Sequence, residues 1–184
     1  AFGKGLLSQG VLPVIKHFPG LAAGKQDTHM APTHLKLDTK ELNDTMSPFV
    51  KSLEAGMPIV MCTHATHPFF GSDPITLSSS VVTFLKQKNK NALVITDDFC
   101  MKAVHVKNTL EEAALQSLLA GFDMIIYSAL PKEQVALIQR LQGLVDGISH
   151  TKQQQLVRTQ SFVNQFKKKH KVALAKSEYP YVHE

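Results

Sequence analysis

Four short apolar runs, each closing on a polar cluster and each separated from the next by a helical pattern, constrain this chain more than any other feature. They cover residues 11–15, 59–62, 92–96 and 124–127, and they end in Lys16-His17, Thr63-His64, Asp97-Asp98 and Ser128. Nearly continuous apolar character over four or five residues predicts strands covered on both faces, as in a parallel sheet. The intervening segments predict helices over 39–55, 77–85, 110–120, 131–144 and 153–169. In the first of these Leu42, Met46, Phe49, Val50 and Leu53 fall on one face. Asn108-Thr109 supplies a cap for the 110–120 helix, Glu111 and Glu112 favour its first turn, and Gly121 stops it. Strands alternating with helices predict βα units and an α/β fold. In such folds chemistry gathers at the carboxyl ends of the strands, where these polar clusters lie.

Composition narrows the alternatives. The chain has 184 residues, 43% hydrophobic and 19% charged, which excludes a disordered polymer. No apolar run approaches the roughly 20 residues of a membrane helix, so no membrane partner is expected. Two cysteines, Cys62 and Cys100, cannot build a disulfide framework and fit either a reducing compartment or incidental use in the core. The net charge of +5 is partly local, with Lys167, Lys168, Lys169 and Lys171 clustered late in the chain. A solvated helix end is the plain reading of that cluster, and contact with acidic partners is the alternative. No Arg-rich stripe with interleaved aromatics points to nucleic acid. The chain begins at Ala1 without a charged and then apolar leader. That start predicts either a processed chain or a piece of a longer one. Residues 1–170 are expected to form the folded part and 171–184 an irregular tail.

Four constellations could carry chemistry, and each also admits a purely structural role. Lys16 and His17, followed by Pro19 and Gly20, place a cation and an imidazole where they can hydrogen-bond a polyhydroxylated or anionic ligand. Asp27-Thr28-His29 lies in a long loop. An Asp two residues before a His can accept its N–H, fix the tautomer and make it a competent general acid and base. Asp97-Asp98 ends an apolar strand, where a carboxylate is costly unless paired or used as nucleophile, base or metal ligand. Cys62, His64 and His67 are residue types that zinc accepts, but no fourth ligand has a defined spacing. No metal or cofactor is expected.

Taken in order, these segments resemble glycoside hydrolase family 3, in the branch of single-domain bacterial β-N-acetylglucosaminidases (β-N-acetylhexosaminidases). The segments are Lys16-His17-Phe18-Pro19-Gly20, Asp27-Thr28-His29, Met61-Cys62-Thr63-His64 with Pro68, Asp73-Pro74-Ile75-Thr76-Leu77-Ser78, Ile95-Thr96-Asp97-Asp98-Phe99-Cys100-Met101 and Leu119-Ala120-Gly121-Phe122-Asp123-Met124. The resemblance implies a (β/α)₈ TIM-barrel type of fold, of which this chain would hold strands five to eight. It is short of the roughly 250 residues of a complete barrel. It also implies a retaining mechanism, with Asp97 as nucleophile, His29 as acid/base and Asp27 orienting His29. Lys16, His17 and His64 would contact the sugar. The implied substrate is a small carbohydrate, a β-N-acetylglucosaminide or muropeptide fragment. The implied setting is peptidoglycan recycling in a bacterial cytoplasm.

The chain also departs from the pattern. Residues 21–26, Leu-Ala-Ala-Gly-Lys-Gln, lack the usual His after the Pro-Gly, and residues 86–91 are unusually basic. Nothing corresponds to the Asp and Arg with which the family's first half grips the remote hydroxyls. A half-barrel would leave two open edges, so a missing amino-terminal half or a homo-oligomer is an expected partner. The alternatives are a family-3 β-glucosidase-like enzyme and a catalytically inactive barrel fragment acting as a binding or scaffold module. A metal hydrolase using His64, His67 and Asp97 is a further rival.

Overall fold

The computed structural model describes residues 1–21, 33–104 and 108–171. Four strands, β1 (Val14–Phe18), β2 (Ile59–Cys62), β3 (Leu93–Asp98) and β4 (Met124–Ile126), form one sheet in the order β1-β2-β3-β4. Every adjacent pair is parallel. The helices are α1 (Phe2–Ser8), α2 (Thr39–Glu54), α3 (Ser79–Lys88), α4 (Leu110–Ala120), α5 (Pro131–Asp146) and α6 (His150–Lys169). Strand followed by helix, repeated with neighbours in sequence adjacent in space, is the arrangement expected of parallel βα units.

Local chemistry sets the helix ends. Asp38 accepts from the Glu41 N–H at 2.8 Å, and Glu41 accepts from the Asp38 N–H at 2.9 Å, which closes a capping box at the start of α2. Thr109 and Glu112 repeat the device at α4. Gly121 ends α4 at φ 106°, a conformation that strains any side chain, and a Cβ there would also lie 3.2 Å from Val82.

The two faces of the sheet are covered by different helices. Val60, Cys62 and Val94 share a core with Leu42, Met46 and Leu53 of α2 and Val81 and Leu85 of α3. Phe18, fully buried, meets Phe49 edge-on with ring centroids 5.5 Å apart. The opposite face carries Ile59, Met61, Leu93, Ile95 and Ile126, and α6 lays Phe162, Val163 and Phe166 against it. Strand alternation puts Asp97, two residues beyond Ile95, on that second face.

Three expectations need correction. The first strand begins three residues later than its apolar run suggests. Val11 donates its N–H back to Leu6 of α1, and pairing with β2 starts at Val14↔Ile59. Lys16 and His17 therefore lie within β1 and not after it. Not all four strands are covered on both faces, since β1 and β4 are edges of the described sheet and leave Val14 39% and Met124 38% exposed. Leu77 belongs to a short 3-10 turn, Ile75–Leu77, and α3 runs on to Lys88. The helix α1 has no counterpart in the sequence reading. It buries none of its residues, so no core-facing stripe marks it.

Candidate active site at the carboxyl end of the strands

The parallel sheet delivers the carboxyl ends of its described strands to one rim, and β3, one of the two central strands, carries Asp97 there. The Asp97 side chain is 15% exposed, with its Oδ2 3.7 Å from Nε2 of His17 on β1. Its Oδ1 accepts the N–H of Asp98 at 2.9 Å. The carboxylate is thus held on one side by backbone and faced on the other by an imidazole, in a partly desolvated position. Lys16 is exposed beside His17 on the same strand. The structure therefore brings together His17 and Asp97, and it leaves Lys16 exposed next to His17 on β1.

Asp98 is engaged differently. Its Oδ1 accepts from the N–H of Cys100 at 2.9 Å and of Ser128 at 3.1 Å, and its Oδ2 accepts from the Ser128 hydroxyl. Partial burial pushes this carboxyl up. The Ser128 hydroxyl and the two backbone N–H groups outweigh that and hold it below the ordinary carboxylate range. Asp98 is a strap between β3 and the segment after β4.

His64 differs from expectation. It is fully buried, its Nε2 lies 2.9 Å from the Asp98 carbonyl, and its Nδ1 lies 2.7 Å from Thr76 Oγ1. Nε2 donates to the carbonyl, so a neutral ring accepts the Thr76 hydroxyl proton at Nδ1. With both nitrogens bonded inside the protein and no exposed surface, His64 is not placed to contact a sugar. It is a strut beneath the rim.

The Cys62-x-His64-x-x-His67 spacing does not assemble a ligand set. His67 donates from Nε2 to Leu37 O at 3.1 Å and accepts the Phe69 N–H at Nδ1. Burial, and then the charge of Asp97, push the Cys62 thiol far up, as suits a neutral core group. Among the described residues no three His, Cys, Asp or Glu side chains converge. Asp27 and His29 lie outside the described residues.

The sequence reading missed two contributors, Thr76 and Ser128. Ser128 was visible as the polar residue closing the fourth run. Thr76 lies in the Asp73–Ser78 segment, but its partner is 12 residues away and no spacing rule joins them. A groove of about 480 Å³ lined by Leu115, Leu119, Leu144 and Ile148 among others contains none of Lys16, His17 or Asp97. It is an apolar seam between helices and has no part in this site.

The model of the glycosyl hydrolase family 3 N-terminal domain matches residues 1–163. The chain belongs to glycoside hydrolase family 3. Membership makes the fold a TIM-barrel-type α/β fold, and the parallel sheet with its helices is consistent with part of such a barrel. The chain is 32% identical over 151 residues to the β-hexosaminidase LpqI of Mycobacterium bovis, covering 77% of this chain and 38% of that protein. It is 29% identical over 151 residues to a β-hexosaminidase of Nitrosomonas eutropha, covering 77% of this chain and 42% of that one. The solved family 3 β-N-acetylglucosaminidase from Paenibacillus sp. str. FPU-7 is similar at a TM-score of 0.82 and 26% identity, over 95% of this chain and 35% of that chain. The chain thus spans about two fifths of the length of the curated relatives it matches.

Proposed function

We propose that this chain carries the nucleophile-bearing part of a retaining glycoside hydrolase that removes terminal β-linked N-acetylglucosamine. The observation that carries the reading is Asp97, a partly desolvated carboxylate at the carboxyl end of a central strand, 3.7 Å from His17. Its Oδ2 would attack the anomeric carbon as the glycosidic bond breaks. His29, oriented by Asp27, would protonate the leaving oxygen, then take a proton from the water that releases the sugar from Asp97. Lys16 and His17 would bind sugar hydroxyls at the rim. The β-hexosaminidase and β-N-acetylglucosaminidase relatives support this choice of sugar. Within it, residues 1–170 would be the carboxyl-terminal part of the barrel, and the substrate would be a muropeptide fragment recycled in a bacterial cytoplasm; the expected tail, from residue 172 onward, lies outside the described residues. Among the described residues no helix is long and apolar enough to cross a membrane.

The test is hydrolysis of an aryl N-acetyl-β-glucosaminide by the protein beside Asp97→Ala and His29→Ala, with a fluorinated-sugar inactivator to mark the nucleophile. Turnover lost in both variants, with the label on Asp97, is expected. A label on another carboxylate overturns the assignment. A folded chain without turnover favours the second reading, a non-catalytic barrel fragment. The open sheet edges at Val14 and Met124 are the observation behind that reading.

A further inference from the structure

Pairing of β2 with β3 ends at Cys62↔Thr96, yet β3 continues to Asp98. Beyond the end of β2 the Asp98 carbonyl receives the Nε2–H of His64, at 2.9 Å. The peptide group bearing that carbonyl also bears the Phe99 N–H, which donates to Ile126 O on β4 at 2.9 Å. The preceding peptide group supplies the Asp98 N–H held by Asp97 Oδ1. The Asp98 carboxylate is strapped to Ser128. Asp98 is therefore gripped from the β2 side by His64 and from the β4 side by Ser128, and it in turn grips the Asp97 carboxylate. The Thr76 hydroxyl fixes one ring nitrogen of His64, and Phe99 meets the ring edge-on with centroids 5.3 Å apart.

We propose that Thr76, His64 and Asp98 form a positioning relay that sets the orientation of the Asp97 carboxylate. The inference rests on Asp97 being the attacking group. His64 takes no part in proton transfer. It extends the hold on β3 past the end of β2, so that the last two residues of the strand cannot rotate. An attack on carbon needs its nucleophile within a narrow range of positions, so loosening this hold should cost rate and leave sugar binding intact.

His64→Asn and His64→Gln in the full chain separate the elements of the relay. Asn retains an acceptor near Nδ1 for Thr76 but loses the donor to Asp98. Gln places an amide N–H near the Nε2 position and restores it. His64→Asn should lower amide-exchange protection at Phe99 by about tenfold or more, while the Val94 amide at the other end of β3 keeps its own. It should slow labelling of Asp97 by the fluorinated sugar about ten- to hundredfold, with affinity for N-acetylglucosamine within about twofold. His64→Gln should recover most of both losses. Thr76→Val, which removes only the hydroxyl, should show smaller losses of the same kind, and it serves if the Asn variant does not fold. The relay is overturned if Phe99 exchange is unchanged in His64→Asn, if Asn and Gln behave alike, or if affinity falls in place of labelling rate. An unlabelled wild-type chain counts against the glycosidase reading, and the exchange comparison then decides the relay alone.

Discussion

At the carboxyl end of the sheet Asp98 accepts hydrogen bonds from Ser128 and Cys100 while remaining half-exposed; at the amino end Asp123 is buried, with its Oδ2 2.7 Å from Lys86 Nζ and 2.8 Å from the Val94 N–H. The two carboxyls shift in opposite directions. Donors hold Asp98 low against the effect of its partial burial. Burial pushes Asp123 above its ordinary value, against the pull of the Lys86 ammonium and the Val94 N–H. Lys86 also donates to Ala92 O and sits 4.1 Å above the Phe162 ring of α6. The amino end is therefore an anchor that joins α3, β3, β4 and α6, and the carboxyl end is a rim where charges are kept available. In barrel folds the carboxyl end of the strands carries chemistry and the amino end stability, and the contrast between the two carboxyls follows that division.

The largest expected effect breaks the rim and spares the anchor. If Asp97 is the nucleophile proposed above, Asp97→Asn should cut turnover about 10⁴-fold, because an amide oxygen is a far weaker nucleophile than a carboxylate. Its unfolding midpoint in urea should stay near that of the parent, since asparagine keeps the oxygen that accepts the Asp98 N–H and the contact of Oδ2 with His17 is long, at 3.7 Å. A comparable loss of stability would merge the two ends and break the comparison.

The converse is Asp123→Ala, which leaves Lys86 and the Val94 N–H without their acceptor. Removing one partner of a buried ion pair costs about 3 kcal/mol. Urea unfolding should show that loss while kcat in the folded chain stays near parental. A fall in kcat without loss of stability would show that the amino end also serves the reaction.

Acid titration sharpens the contrast through signs. The folded-state pKa of Asp98 lies below its unfolded value. Its contribution is present above the unfolded pKa and is lost as pH falls through the lowered one. The folded-state pKa of Asp123 is raised, so its ionisation opposes folding. That contribution is greatest below the unfolded pKa and is lost as pH rises through the raised one. Stability measured against pH on the acid side should therefore fall less steeply in Asp98→Asn than in the parent, and more steeply in Asp123→Asn. Equal slopes in the three proteins would contradict the assigned shifts.

The smallest effect is the control. Arg140 Nε lies 2.8 Å from Glu111 Oε1, with the arginine side chain 49% exposed. Arg140→Met should change stability by about 0.5 kcal/mol or less, because an exposed pair is screened and costs side-chain entropy. A loss as large as that of Asp123→Ala would mean that burial is not what makes the amino-end pair matter.

Much of this was written in the order of residue types. The apolar runs, the capping pairs and Gly121 act over a few neighbours, so the two middle strands, α2 and α4 could be read to within one or two residues. Asp97 was legible as a polar residue at the end of a buried strand, whereas Lys16 and His17 were conspicuous as polar residues but lie within an edge strand that the apolar run placed too early. The shift of β1 was not legible, because Val11 and Leu12 are as apolar as strand residues and only pairing with β2 decides where the ladder begins. The opposite characters of Asp98 and Asp123 were also hidden. Both are aspartates at strand ends, and what separates them is Ser128, 30 residues away, and Lys86, 37 residues away. His64 shows the same limit, since a histidine near a strand end reads as a ligand contact until burial and two internal partners make it a strut. By itself the sequence determined the parallel α/β order and which chemical groups reach the rim, since both follow from periodicity and residue type. Only the tertiary structure decided which of those groups are held as struts and which face solvent, because burial and hydrogen-bond partners come from residues far apart in the chain.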